Sequence, residues 1–124
     1  MKEILEAKRH IENAKDILSE KARKENGYYQ DRKYVKMAGH TAYSGVLVAL
    51  DAIFGDKRKG RKSVEWYKEE LARLDKKILS SFLAAYDTLH LAMSYDGNLS
   101  SKVASAGLED AEKIIAWAEQ KAQA

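Results

Sequence analysis

The sequence contains neither cysteine nor proline, and each absence excludes something. Without cysteine there is no disulfide framework and no thiolate metal site, and a reducing compartment, the cytoplasm, is the expected location. Without proline, no helix is interrupted by a residue that lacks the backbone donor. Long apolar runs are also missing. The run VLVAL stops at Asp51, far short of the roughly 20 residues that a membrane helix needs, so no membrane span is expected. The opening MKEILEAKRHIENAKD mixes acidic with basic residues and has no continuous apolar stretch, which argues against a secretory leader. The alternating β-branched runs that mark strands are scarce.

What remains is helical in character. The 124 residues are 45% hydrophobic and 33% charged, the profile of one globular domain covering 1–124. Ile4, Ala7, Ile11, Ala14, Leu18 and Ala22 form one stripe of a first helix, expected over about 2–24 and ended by Asn26 and Gly27. Asp31 is placed to cap a second helix over about 32–54. From Met37 onward that helix is apolar nearly all round, with Met37, Val48 and Ala52 on its far side and Gly39 and Gly45 permitting close backbone approach. Such a helix is expected at the centre of a bundle or between subunits. Ser63 is a cap for a third helix over 63–75, and Asp75 for a fourth over 76–95. Tyr95-Asp96-Gly97-Asn98 reads as a turn before a fifth helix over 99–120. The expected fold is all-α, an antiparallel up-and-down bundle of four to five helices.

The segment GDKRKGRKS, residues 55–63, attracts a functional reading. Lys57, Arg58, Lys59, Arg61 and Lys62 against Asp56 outweigh the chain's formal net charge of +3, so the rest of the chain is slightly acidic. The segment approaches the phosphate-loop pattern G-x-x-x-x-G-K-[ST], but Arg61 separates Gly60 from Lys62 and Ser63, and a helical rather than strand pattern precedes it. The five cations, followed by Trp66 and Tyr67, are candidates for binding nucleic acid or another anion. A solvated connection between two helices is the plain alternative.

Other chemistry is poorly supported. A di-iron bundle needs Glu-x-x-His pairs, and the chain has only the isolated combinations Glu6 with His10 and Asp87 with His90. No metal ligand, cofactor or catalytic residue is assigned, and there is no cysteine nucleophile or Gly-x-Ser-x-Gly elbow. Tyr28, Tyr29 and Tyr34 mark either an interface or the covered end of the bundle. Tyr86, Asp87 and His90 are the first residues to inspect for a pocket within the bundle.

GYYQDRKYVKMAGHTAYSGVLVALD, GRKSVEWY, LHLAMSYDGN and GLEDAEKIIAW together resemble a small family of uncharacterised bacterial proteins, a domain of unknown function. That resemblance implies a helical bundle and carries no catalytic residue. More distantly, Ala42 and Tyr43 through Ala49 and Leu50 are similar to the second helix of the HEPN superfamily, whose bundles dimerise and include ribonucleases and partners of nucleotidyltransferases. The ribonuclease signature, an arginine closely followed by a histidine late in the bundle, is not met by Arg73 and His90, so this resemblance implies a non-catalytic relative. Two functions are therefore expected: a non-enzymatic interaction module forming a homodimer, or an RNA-binding, HEPN-like bundle using the 57–62 segment.

Overall fold

The computed structural model describes residues 2–55 and 60–123. Lys57, Arg58 and Lys59 lie outside the described residues. Among the described residues there are five α-helices and one small hairpin: α1 (Lys2–Asp16), β1 (Lys24–Glu25), β2 (Tyr28–Tyr29), α2 (Arg32–Phe54), α3 (Val64–Leu74), α4 (Lys76–Ala85) and α5 (Ser101–Gln123). Three of the expected caps form. The side chain of Asp31 accepts from the Lys33 amide, Ser63 from Trp66, and Asp75 from Lys77 and Ile78. Each cap satisfies amides that the first helical turn leaves open. Asp75 is thus the break that divides 63–95 in two.

The helix α2 is the axis. It packs against α1, α5 and the end of α4, burying Val35, Ala38, Ala42, Val46, Ala49 and Leu50 completely. An 18-residue window within Arg32–Phe54 reaches a mean hydropathy of 1.2, and half of that window is buried inside the bundle. The central glycines set the approach distances. A Cβ at Gly39 would lie 2.6 Å from the Leu89 carbonyl oxygen, and one at Gly45 would lie 2.8 Å from the His10 Cβ. These are backbone-near contacts that only glycine tolerates without displacement.

Two features depart from the expected pattern. After α1 and after α4 the helix continues as a wider π-helix, over Ile17–Ala22 and Tyr86–Tyr95. The terminal bonds show the longer step: the Arg23 amide donates to the Leu18 carbonyl at 2.9 Å and Asp96 to Leu91 at 3.0 Å. At each transition a hydroxyl binds back to a carbonyl of the preceding turn, Ser19 to Asp16 and Thr88 to Ala84. Back-bonding of this kind competes with the amide ladder and disturbs the regular helix. The second departure is the hairpin, where a plain helix terminator was expected. Asn26 and Gly27 both take positive φ, 52° and 85°, the geometry of a two-residue hairpin turn, so Lys24 pairs with Tyr29 and Glu25 with Tyr28. The hairpin then fastens the far end of the chain. The Tyr29 amide donates to the Leu99 carbonyl (2.8 Å), and the Ser101 amide donates to that of Gly27 (3.0 Å).

Candidate functional site

The site with the most chemistry is a cleft of about 320 Å³ between α2, the segment entering α3, and the π-helical end of α4. Asp51 organises it. This carboxylate is the first charge after an uncharged stretch of α2 that begins at Met37, and a carboxylate so placed needs partners. It has two on one oxygen: the Tyr67 hydroxyl donates to Oδ1 at 2.8 Å, and Lys62 Nζ lies 3.3 Å from the same atom. Burial, followed by the bond to Asp51, pushes the Tyr67 hydroxyl well above its ordinary pKa. Lys62 also sits over the Trp66 ring, 5.8 Å from its centroid. Its side chain is only 12% exposed, so this basic residue is folded back onto α2. Arg61, beside it, is exposed.

The opposite wall is aromatic. His90 lies 4.9 Å from the Tyr43 ring, stacks on Tyr86 at 5.2 Å, and meets Tyr95 edge-on at 6.0 Å. Spacings of this order are those of favourable ring pairs. Tyr43 and Tyr67 each approach Phe82, which joins the cleft to the core. Burial, with a smaller contribution from Tyr86, raises the Tyr43 hydroxyl pKa strongly.

The residues singled out in sequence therefore fall into separate places. Tyr86 and His90 stack on one another, and His90 lines the cleft. Of the five cations, Arg61 and Lys62 line the cleft. Met37 and Val48 share the outer side of α2, with Met37 46% exposed. The three tyrosines do not form one surface: Tyr28 is exposed on the hairpin, while Tyr29 and Tyr34 pack against the core. Desolvation raises the Tyr29 hydroxyl pKa. Among the described residues no group of three or more histidines and carboxylates is arranged to hold a metal ion. The Glu6 and His10 spacing serves the backbone instead, with His10 Nδ1 donating to the Glu6 carbonyl at 2.8 Å. Sequence reasoning missed Tyr43, Asp51 and Tyr67 as a group. The available signal was Asp51 itself, a carboxylate ending an apolar run.

A second groove of about 430 Å³ runs between α1 and α5. Its charges are already matched across the gap, Lys8 with Glu119 at 2.8 Å and Lys15 with Glu112 at 3.4 Å. These are exposed pairs, which tie the two helices weakly.

Comparison with solved structures finds a protein of unknown function from Dyadobacter fermentans at 55% identity and a TM-score of 0.90, over 97% of this chain and 95% of that one. A comparison with curated proteins returns no match. Residues 2–120 match the model of a domain of unknown function, DUF5618. Full-length coverage by that model, together with a relative of the same architecture, means that the chain belongs to the DUF5618 family.

Proposed function

We propose that the chain is a non-enzymatic interaction module that pairs with a second copy of itself through the outer face of α2. The observation that carries this reading is the chemistry of that face. Met37 is 46% exposed, His40 beside it is exposed, Thr41, Ser44 and Val48 are half-buried, and no Asp, Glu, Lys or Arg occurs between Lys36 and Asp51. An uncharged strip along a central helix is a natural partner surface.

Its spacing fits a second copy in particular. Met37, Thr41, Ser44 and Val48 lie on one side of the helix. An antiparallel pair of α2 helices, with the two-fold axis midway between Ala42 and Tyr43, sets Met37 beside the partner subunit's Val48. The same axis sets Thr41 beside the partner subunit's Ser44. A two-fold interface requires self-complementarity of this kind. Light scattering at micromolar concentration tests it: the mass should be twice the 14.0 kDa of one chain, and Val48→Lys should reduce it to one chain. A single-chain mass for the unaltered protein ends this reading.

Nucleic-acid binding by an HEPN-like bundle through Lys57, Arg58, Lys59, Arg61 and Lys62 draws less support. Lys62 is already held by Asp51, and Ala42, Tyr43, Ala49 and Leu50 are buried in the core. Salt-sensitive binding of single-stranded RNA, abolished by neutralising these cations, would favour it over the pairing module.

A further inference from the structure

The cleft contains a polar group that folding leaves unanswered. Tyr43 is only 8% exposed, and its ring is surrounded by Phe82, Tyr86 and His90. Yet its hydroxyl has no hydrogen-bond partner among the described residues, although Tyr43 lines the cleft. That hydroxyl is not sealed in the core, where Trp117 Nε1 is the unpartnered polar atom among the described residues; it opens to the water of the cleft, whereas the Tyr67 hydroxyl in the same cleft is bonded to Asp51. A second group is also unspent. Arg61 is exposed at the cleft and has no ion-pair partner among the described residues, whereas the charge of neighbouring Lys62 is shared with Asp51. Leu47 and Val64 supply apolar wall.

We propose that this cleft binds a small aromatic anion. A flat ring rests against Leu47, Val64 and the surrounding rings, an acceptor on the ligand takes the Tyr43 hydroxyl proton, and a carboxylate or phosphate meets Arg61. The planar guanidinium forks onto either anion with two parallel hydrogen bonds. The cleft volume of about 320 Å³ lies at the small end of ligand sites, which suits one or two fused rings with a single anionic group and excludes a dinucleotide. This assignment goes beyond the pairing of α2 helices and does not depend on it.

The test is a titration of the nitrogen-15-labelled full chain, following the amides of Tyr43, Arg61 and His90. The probes are 4-hydroxybenzoate and adenosine monophosphate, with inorganic phosphate and phenol as half-ligands. At least one aromatic anion should saturate these shifts, binding about tenfold or more tightly than either half-ligand because ring and anion are engaged together. Whichever binds identifies the anion as carboxylate or phosphate. Tyr43→Phe and Arg61→Ala should each weaken binding by about tenfold, the size of one lost hydrogen bond or ion contact. Both should leave the thermal midpoint in place, because neither group has a partner within the described protein. The proposal is overturned if neither anion moves these amides at millimolar concentration, if phosphate alone binds as tightly, or if both variants bind like the parent.

Discussion

The helices α1 and α2 each place one side on the core and one side outward, and the outward sides differ in kind. Along α1 the outer positions are Leu5, Glu6, Arg9, Glu12 and Asn13, all exposed, while Lys8 and Lys15 reach across to carboxylates of α5. Along α2 the corresponding side shows Met37, Thr41, Ser44 and Val48. The first surface sets a single exposed apolar side chain, Leu5, among charged and polar neighbours. The second removes its strip from solvent only when something covers it, which is why α2, with no Asp, Glu, Lys or Arg between Lys36 and Asp51, is both the axis of the bundle and its proposed contact with a second copy.

The contrast can be broken most severely from the inner side of α2. Gly39→Ala forces a methyl group against the Leu89 carbonyl and the Met93 Cβ, and should cost about 3 kcal/mol in urea unfolding, at the upper end of ordinary overpacking. On the outer side, one charge separates the two helices. Val48→Lys should abolish pairing in light scattering, whereas Asn13→Lys on α1 should leave the mass unchanged. Asn13→Lys should keep the stability of the single chain within about 0.5 kcal/mol, as surface changes usually do, while Val48→Lys, at a half-buried position packed against the core, should cost about 1 kcal/mol.

Smaller effects sharpen the inner side. Tyr67→Phe removes a donor from Asp51 and should cost about 1 kcal/mol. Alkaline titration follows from the raised hydroxyls of Tyr43 and Tyr67. The unfolded chain loses these protons near the ordinary value of 10.0, while the folded chain keeps them. Above that pH the unfolded state binds fewer protons, so stability must fall as pH rises. Tyrosine absorbance should show at least two hydroxyls that ionise only as the protein unfolds. The smallest effect concerns Trp117, whose indole Nε1 is buried with no hydrogen-bond partner among the described residues. Trp117→Phe removes that unmet donor and should shift the urea midpoint by an amount equivalent to no more than about 0.5 kcal/mol.

How much of this was legible in the sequence depends on the range of the interaction concerned. Local signals read well: the hydroxyl and carboxylate caps at Asp31, Ser63 and Asp75, the left-handed Gly97, and the stripe from Ile4 to Ala22 each act within a few residues. The close approaches at Gly39 and Gly45 were also anticipated, because small residues in an apolar helix have few other uses. The hairpin was local as well, but Asn26-Gly27 serves equally as a helix stop and as a two-residue turn. What decided between them was distant, the pairing of Gly27 and Tyr29 with the 99–101 segment. The widening to π-helix coincides with hydroxyls of Ser19 and Thr88 bonding back to carbonyls, a detail that periodicity does not register. The cleft was least legible of all. Tyr43 and Asp51 come from one helix, Tyr67 from another and His90 from a third, so no stretch of sequence contains it. Lys62 read as a free cation because its partner lies on the preceding helix.

The absence of native cysteine gives the most direct test of pairing through α2. Chains carrying Met37→Cys and chains carrying Val48→Cys, one of them enlarged by a tag, are mixed, oxidised and separated without reductant. An antiparallel pair should give the mixed disulfide as the main product, and substituting Asn13→Cys for either partner should suppress it. Equal cross-linking in every combination, or no mixed disulfide between the α2 variants, would contradict the interface.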